Sequence, residues 1–174
     1  LHLSIRRQRQ MCIRDRFGRL DGVLHNASVL GDITPLERYG ADTWDSVMRV
    51  NLNSAFYLTQ ALLPLLRDSD DGRILFTSSS VGRKGRAFWG AYAASKAATE
   101  NLSQTLAEEL ENTSKIRVNT INPGATRTDM RALAYPGEDA EKLKTPEQIV
   151  ASYLYLLGPE GAAINGQSLD AQPR

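Results

Sequence analysis

"RILFTSSSVGRKGRAFWGAYAASKAATENLSQTLAEELENTSKIRVNTIN", residues 73–122, decides the fold of this chain, because it has the pattern of a strand, a helix and a second strand. RILFTS and IRVNTIN are the continuous apolar runs of buried strands, and Pro123 and Gly124 end the second one. A helix between two strands predicts a right-handed crossover and therefore a parallel sheet. The helix, Gly90–Glu111, carries apolar residues at four-residue intervals, which predicts one packed stripe formed by Ala94, Ala98, Leu102, Leu106 and Leu110.

The segments on either side continue this alternation. GVLHNA (residues 22–27) has the composition of a strand, and residues 42–66 have the apolar period of a helix. Near the end, TPEQIVASYLYLLG predicts a helix that begins with a capping box of Thr145 and Gln148, and residues 164–172 are a candidate last strand. Strands that alternate with helices predict one α/β domain with a doubly wound, Rossmann-like parallel sheet.

The composition excludes several classes of protein. The 21 Lys and Arg residues balance 20 Asp and Glu residues, so nothing global points to nucleic acid or an acidic membrane as a partner. No apolar run approaches the roughly 18 residues that span a membrane, and the first residues lack the apolar core of a signal peptide. The single cysteine, Cys12, excludes a disulfide framework, and two histidines without a Cys/His cluster predict no metal site. We therefore expect a cytoplasmic protein.

The first sixteen residues differ from the rest of the chain. Six arginines between Arg6 and Arg19 accompany a single acid, Asp15, and the apolar residues among them follow no period. We interpret residues 1–16 as a disordered or foreign segment and residues 17–174 as the folded part. The alternative is a basic arm that binds nucleic acid, which would show a steep salt dependence of binding.

Polar residues follow three of the predicted strands, in HNAS, TSSSVG and NPGATRTDM. Ligands of doubly wound sheets bind outside the carboxyl ends of the strands, although each of these stretches taken singly also suits an ordinary turn or cap. Asn51 lies on the apolar face of its predicted helix, between Met48 and Ala55, where an unpaired amide costs about 1–3 kcal/mol. It is either a functional residue or a satisfied core asparagine that bends the helix.

Tyr92 and Lys96 lie four residues apart and therefore share one helix face. A neighbouring ammonium lowers the pKa of a tyrosine toward the working range of a general acid or base. The alternative is a surface tyrosine with a lysine that extends to solvent. Ser79 follows a strand thirteen residues before Tyr92, and NPG ends the next strand, so the sequence gathers these groups along one edge of the sheet.

The combination SSS…Y-A-A-S-K, with an upstream N-A strand end, a V-N-L helix and NPGATRT, resembles the short-chain dehydrogenase/reductase family over about residues 17–174. The resemblance implies an oxidoreductase that transfers a hydride between NAD(P), with NADP expected, and a small-molecule carbonyl or alcohol. It implies that Tyr92 is the general acid/base, that Lys96 lowers its pKa and bonds the nicotinamide ribose, and that Ser79 polarises the carbonyl. Asn51 would hold a water in the proton relay. The implied cofactor-binding residues are Asn26, Ala27, Tyr92, Lys96, Pro123, Gly124 and Thr128.

Two departures from the family pattern lie at the start. Ser28 stands where the family has glycine, and His25 stands where it has asparagine. The family's first βαβαβ half, with its glycine-rich turn for the cofactor pyrophosphate, has no counterpart, since neither G-x-x-x-G-x-G nor G-x-G-x-x-G occurs in the chain. We therefore expect residues 22–27 to form an exposed edge strand. We also expect the chain as given to bind cofactor weakly or not at all, and to be inactive.

A second hypothesis is a non-catalytic fragment that acts as a binding or oligomerisation module. The family commonly forms homo-oligomers through two long helices, here 42–66 and 90–111. A module freed from catalysis would not need a complete set of catalytic residues, so the joint presence of Asn51, Ser79, Tyr92 and Lys96 favours the enzyme.

Overall fold

The computed structural model of the protein describes residues 15–172, so the prediction for residues 1–16 and Cys12 falls almost entirely outside the described residues. Within them the predicted α/β fold is confirmed. The strands are β1 (Gly22–His25), β2 (Arg73–Thr77), β3 (Arg117–Asn122) and β4 (Ser168–Asp170). The helices are α1 (Ala41–Met48), α2 (Ser54–Arg67), α3 (Ser80–Arg83), α4 (Gly90–Glu111), α5 (Asp129–Ala134) and α6 (Pro146–Leu157).

The four strands form one parallel sheet in the order β1-β2-β3-β4. β1 lies at the edge of this sheet, and Leu24 on it is 40% exposed. All carboxyl ends therefore lie along one side of the sheet, as the sequence predicts. The last strand is shorter than predicted, three residues instead of nine.

Helices cover both faces of the sheet, as a doubly wound fold requires. Alternate residues of β2 point to opposite faces. Ile74 and Phe76 pack with residues of α2 and α4, whereas Leu75 packs with Leu156 of α6. The main core on the first face is completed by Ala55, Leu62, Leu65, Leu66, Leu106, Ala107, Leu110, Ile116 and Val118.

The predicted helix 42–66 is two helices joined by a π-helical turn, Arg49–Asn53, which contains Asn51. Such a turn inserts an extra residue into the helical ladder and often accompanies a functional site. The prediction of helical structure over 42–66 is confirmed, but the π turn was not predicted, because it leaves no mark in an apolar period.

Helix α4 begins and ends where the sequence predicts, but its buried face differs. Leu106 and Leu110 are buried, whereas Ala94, Ala98 and Leu102 are only partly so. Helix α4 instead turns several polar side chains inward. The buried polar and ionisable residues of α4 are Tyr92, Ser95, Lys96, Thr99, Glu100 and Ser103.

Helix α6 starts as predicted. Pro146 is its first residue, and the backbone N–H of Thr145 donates to Oε1 of Gln148 at 2.8 Å, the bond of a capping box. This helix carries side chains to the carboxyl end of the sheet.

Candidate active site

A cavity of about 620 Å³ lies at the carboxyl ends of β1, β2 and β3. The strand ends supply one wall, and the first turn of α4 together with α5 and α6 supplies the others. Eight of the nine predicted site residues line it: Asn26, Ala27, Ser79, Tyr92, Lys96, Pro123, Gly124 and Thr128.

Ser79 sits at the amino end of α3, in extended backbone. It follows the last residue of β2, Thr77, so the strand places its hydroxyl at the mouth of the sheet. There Ser79 lines the same cavity as Tyr92, a residue that is only 9% exposed. Two residues thirteen positions apart in sequence thus meet in the cavity.

Burial raises the pKa of Tyr92, while the neighbouring hydroxyls of Ser79 and Ser28 partly oppose the rise. The expected lowering of this pKa by Lys96 is therefore not found in the chain by itself. The ammonium Nζ lies over the tyrosine ring, 5.6 Å from its centroid. The loss of hydration on burial therefore raises the pKa of the phenol more than this contact with the ammonium lowers it.

Lys96 is buried, with 3% of its surface exposed, and its Nζ donates to the backbone oxygen of Thr77 at 2.8 Å. Burial lowers the pKa of Lys96 to about 8. The surface alternative for the Tyr92 and Lys96 pair is thereby excluded, because both side chains point inward. The Lys96 ammonium is therefore mostly ionised at neutral pH, which lies only slightly below its pKa.

Asn51 is not among the residues that line the cavity. Its Oδ1 accepts from the N–H of Val29 at 2.8 Å, and its Nδ2 donates to the Val29 oxygen at 2.9 Å and to Ser95 Oγ at 3.0 Å. The side chain is thus a hydrogen-bonded core amide that holds the loop after β1 against α4. Its place in a proton relay stays a prediction.

The strand-end segments are bonded to one another. Asn26 Oδ1 accepts from Thr77 Oγ1 at 2.8 Å, which joins the ends of β1 and β2. Gly124 has φ +74°, a left-handed conformation that favours glycine, and Gln172 Nε2 donates to the Pro123 oxygen at 2.8 Å. Thr128 caps α5 by accepting from the N–H of Arg131 at 3.2 Å.

The sequence analysis missed the aromatic and cationic wall of the cavity. Trp89 packs edge-on against Tyr92, with ring centroids 5.7 Å apart, and against Tyr135 at 5.8 Å. The Arg131 guanidinium lies 3.7 Å from the Tyr135 centroid and bonds Glu138 through two nitrogens at 2.6 Å each. Trp89, just before the tyrosine helix, was a usable signal, since large aromatic side chains are usually at least partly buried.

Tyr153 of α6 also lines the cavity and was not predicted. Burial raises its pKa, and a hydrogen bond with Thr77 opposes the rise. Its helical spacing with Ile149 and Leu156 indicated only a core face, so the sequence gave no reason to separate it from its apolar neighbours.

Among residues 15–172, no helix combines the length and the apolar character needed to cross a membrane.

Comparison with known proteins identifies the family. The family model "short chain dehydrogenase" matches residues 8–139. The chain is 57% identical over 157 residues to oxidoreductase YciK of Escherichia coli K12, a match that covers 90% of this chain and 62% of that protein. Its structure is similar to a short chain dehydrogenase from Shigella flexneri 2a complexed with NADP, at 54% identity and a TM-score of 0.92, with 97% of this chain and 70% of the other covered.

A short chain dehydrogenase from Escherichia coli CFT073 complexed with NADPH is equally similar, with 54% identity, a TM-score of 0.92 and coverage of 98% of this chain and 70% of that one. The chain thus spans about two thirds of the length of these relatives, and the family match begins at residue 8, inside the arginine-rich segment. The chain belongs to the short-chain dehydrogenase family of oxidoreductases.

Proposed function

We propose that this chain carries the catalytic site of an NADP-dependent oxidoreductase that transfers a hydride between the nicotinamide and a small-molecule carbonyl or alcohol. The observation that carries the proposal is the meeting of Ser79, Tyr92 and Lys96 in one cavity at the carboxyl end of the sheet. Two similar structures in complex with NADP and NADPH support the choice of cofactor.

The cavity suits the nicotinamide end of this cofactor. Within residues 15–172, one N–H of the buried Lys96 ammonium is used, by the Thr77 oxygen, and an ammonium has three. The remaining donors suit the hydroxyls of a ribose. The amide of Asn26 and the glycine backbone at Gly124 flank the same space, and they would hold the ring from two strand ends.

When bound, the reduced nicotinamide supplies the hydride, and the side chains of this chain supply the proton and the electrostatics. Because its pKa is raised, Tyr92 keeps its proton at neutral pH and is ready to donate it to a carbonyl oxygen. The Ser79 hydroxyl, next to that phenol, donates a hydrogen bond where negative charge develops on the same oxygen. The charged Lys96 nearby stabilises the phenolate that remains.

We also propose a homo-oligomer in the cytoplasm, assembled through α2 and α4. Phe56 and Tyr57 on α2 are 43% and 61% exposed, which leaves aromatic surface for a second copy to cover. Light scattering at several concentrations tests this assembly, and Tyr57→Glu should shift it toward the monomer. A monomer at all concentrations would contradict it.

The binding experiment uses reduced nicotinamide mononucleotide, which carries the nicotinamide and ribose without the adenine half. In a Trp44→Phe variant the remaining tryptophan is Trp89, which lines the cavity. We expect weak but saturable quenching of its fluorescence by the mononucleotide and by NADPH. Lys96→Met should weaken binding by about tenfold, the loss of one or two charge-assisted hydrogen bonds.

The matched control is Lys115→Met, because Lys115 is an exposed lysine paired with Asp70 away from the cavity. Binding that is equally weakened by both variants, or absent for both ligands, would contradict the cofactor assignment. Activity is then measured as loss of NADPH absorbance with a panel of carbonyl compounds. Tyr92→Phe should lower any rate by about 100-fold or more, the usual contribution of a general acid.

A further inference from the structure

Arg83, at the end of the short helix α3, joins that helix to the last strand of the sheet. Its Nη1 lies 2.6 Å from Asp170 Oδ1, its Nη2 donates to the Leu169 oxygen at 2.9 Å, and its Nε donates to Ser168 Oγ at 3.0 Å. Nε also lies 3.4 Å from Oε1 of Glu100 on α4. One guanidinium therefore bridges α3, α4 and β4 in the planar, multidentate manner that suits arginine and not lysine.

The acceptors of this bridge are fixed in the sheet. Glu100 is 8% exposed and accepts from Thr120 Oγ1 at 2.7 Å and from Ser168 Oγ at 2.8 Å. Burial raises the pKa of Glu100, but the hydrogen bonds it accepts and the charge of Arg83 outweigh burial and lower it. Asp170 accepts in addition from Asn122 Nδ2 at 2.9 Å. Arg83 is thus held by two carboxylates that cannot move without the sheet.

The other side of α3 rests directly on α4. A Cβ placed on Gly82 would lie 2.8 Å from the backbone carbon and the Cβ of Lys96, so the two helices meet at van der Waals contact. Helix α3 has four residues, and Ser79 immediately precedes it. A shift at Arg83 is therefore transmitted to Ser79 within one turn.

We infer that Arg83 is a positioning residue, which holds the Ser79 hydroxyl in the cavity beside Tyr92 by anchoring α3 to β4 and α4. The structural part of this inference is the position of Ser79 relative to Tyr92, and it is supported by the contacts of Arg83. Its consequence for catalysis rests on the proposed function, whereas its test does not require turnover.

The test follows the ionisation of Tyr92 in protein labelled with fluorotyrosine, whose phenol titrates at a lower pH than that of tyrosine. The fluorine resonance of residue 92 is assigned by its loss in Tyr92→Phe. Because the neighbouring Ser79 hydroxyl lowers the pKa of Tyr92, we expect Ser79→Ala and Arg83→Gln each to move the midpoint to higher pH. The double variant should move it no further than Ser79→Ala does.

This cycle separates positioning from charge. If Arg83 acted only by its charge, Arg83→Gln would shift the midpoint equally with and without Ser79, and that result would overturn the inference. An unchanged midpoint in Arg83→Gln would also overturn it. The neighbouring titratable groups, Lys96 on α4 and Tyr153 on α6, are the same in every variant.

Arg117→Gln is the control, since Arg117 bonds the Ala162 oxygen at the opposite end of the sheet, and it should leave the midpoint unchanged. Should Arg83→Gln fail to fold, Arg83→Lys takes its place in the same cycle, because lysine keeps the charge but cannot reproduce the three-way bonding. A midpoint shift together with unaltered binding of reduced nicotinamide mononucleotide would confirm the positioning role. If the wild-type chain did not bind reduced nicotinamide mononucleotide, that result would contradict the proposed function and not this inference.

Discussion

Lys96 Nζ bonds the backbone oxygen of Thr77 at 2.8 Å, which fixes the lysine of α4 to the last residue of β2. The bond places a buried ammonium at the carboxyl end of the sheet, where the helix and the strand converge. This hydrogen bond also replaces part of the hydration that the ammonium loses when it is buried.

The buried ammonium lowers stability at neutral pH. The pKa of Lys96 falls to about 8 from the ordinary 10.5, so below pH 8 the folded chain must bury a charge that the unfolded chain leaves in water. We expect Lys96→Met to raise the free energy of unfolding by about 1–2 kcal/mol at pH 7, after the lost Thr77 bond is subtracted. Between pH 8 and 10.5 wild-type stability rises with pH, because there the unfolded chain binds more protons, so the gain should shrink. Urea unfolding at pH 7 and pH 9.5 measures it, and an equal gain at both would contradict the assignment.

His25 should make the fold sensitive to mild acid. Its Nε2 lies 2.8 Å from Thr59 Oγ1, its ring stacks on Phe76, and burial lowers its pKa from 6.5 to about 4. As pH falls from 6.5 toward 4, the unfolded chain takes up a proton that the folded chain refuses, so stability is lost in that window. From pH 7 to pH 5 we expect a loss of about 1–2 kcal/mol in wild type. Urea unfolding of His25→Gln should show a smaller loss, and an equal loss in wild type and variant would contradict this assignment.

Phe88 has a strained backbone beside the site. Its φ is +74°, a region that bulky L-residues rarely adopt, and its side chain is 54% exposed. Asparagine tolerates this conformation, so we expect Phe88→Asn to stabilise the chain by about 1 kcal/mol. The matched control, Phe56→Asn in the regular helix α2, should destabilise it, because asparagine is a poorer residue for a helix interior. Thermal unfolding of both variants tests this prediction. A loss of stability in Phe88→Asn would be evidence against backbone strain at Phe88.

Asn51 should contribute to stability through the loop that it holds. Asn51→Ala leaves the Val29 N–H and oxygen without their side-chain partners, and we expect a loss of about 2 kcal/mol in the free energy of unfolding. Asn101→Ala, on the exposed face of α4, should be neutral or slightly stabilising, since alanine favours a helix. Denaturant unfolding measures the free energy of unfolding of both variants. Equal changes would show that the hydrogen bonds of Asn51 do not stabilise the fold.

The parallel sheet could be predicted from the sequence because its signal is local. The apolar runs at residues 73–77 and 117–122 and the helix between them are set by short-range periodicity, and a right-handed crossover leaves little choice of topology. The gathering of Ser79, Tyr92 and Lys96 followed from the same topology. The order of the residues thus specified which side chains meet, even though they lie far apart in the chain.

Other properties of the site depend on tertiary packing, because no local sequence pattern specifies them. Whether the pKa of Tyr92 rises or falls depends on how much water the packed cavity excludes, which is a property of three helices and not of a spacing. The role of Asn51 depends on a loop of the neighbouring strand, and the cavity wall at Trp89 and Tyr153 depends on how α4 and α6 pack against the strand ends. The fold class and the set of side chains that meet at the cavity could therefore be predicted from the sequence, because these depend on periodicity and order. The desolvation of each group and its hydrogen-bond partners could not be predicted in this way, because both depend on neighbours that are distant in sequence.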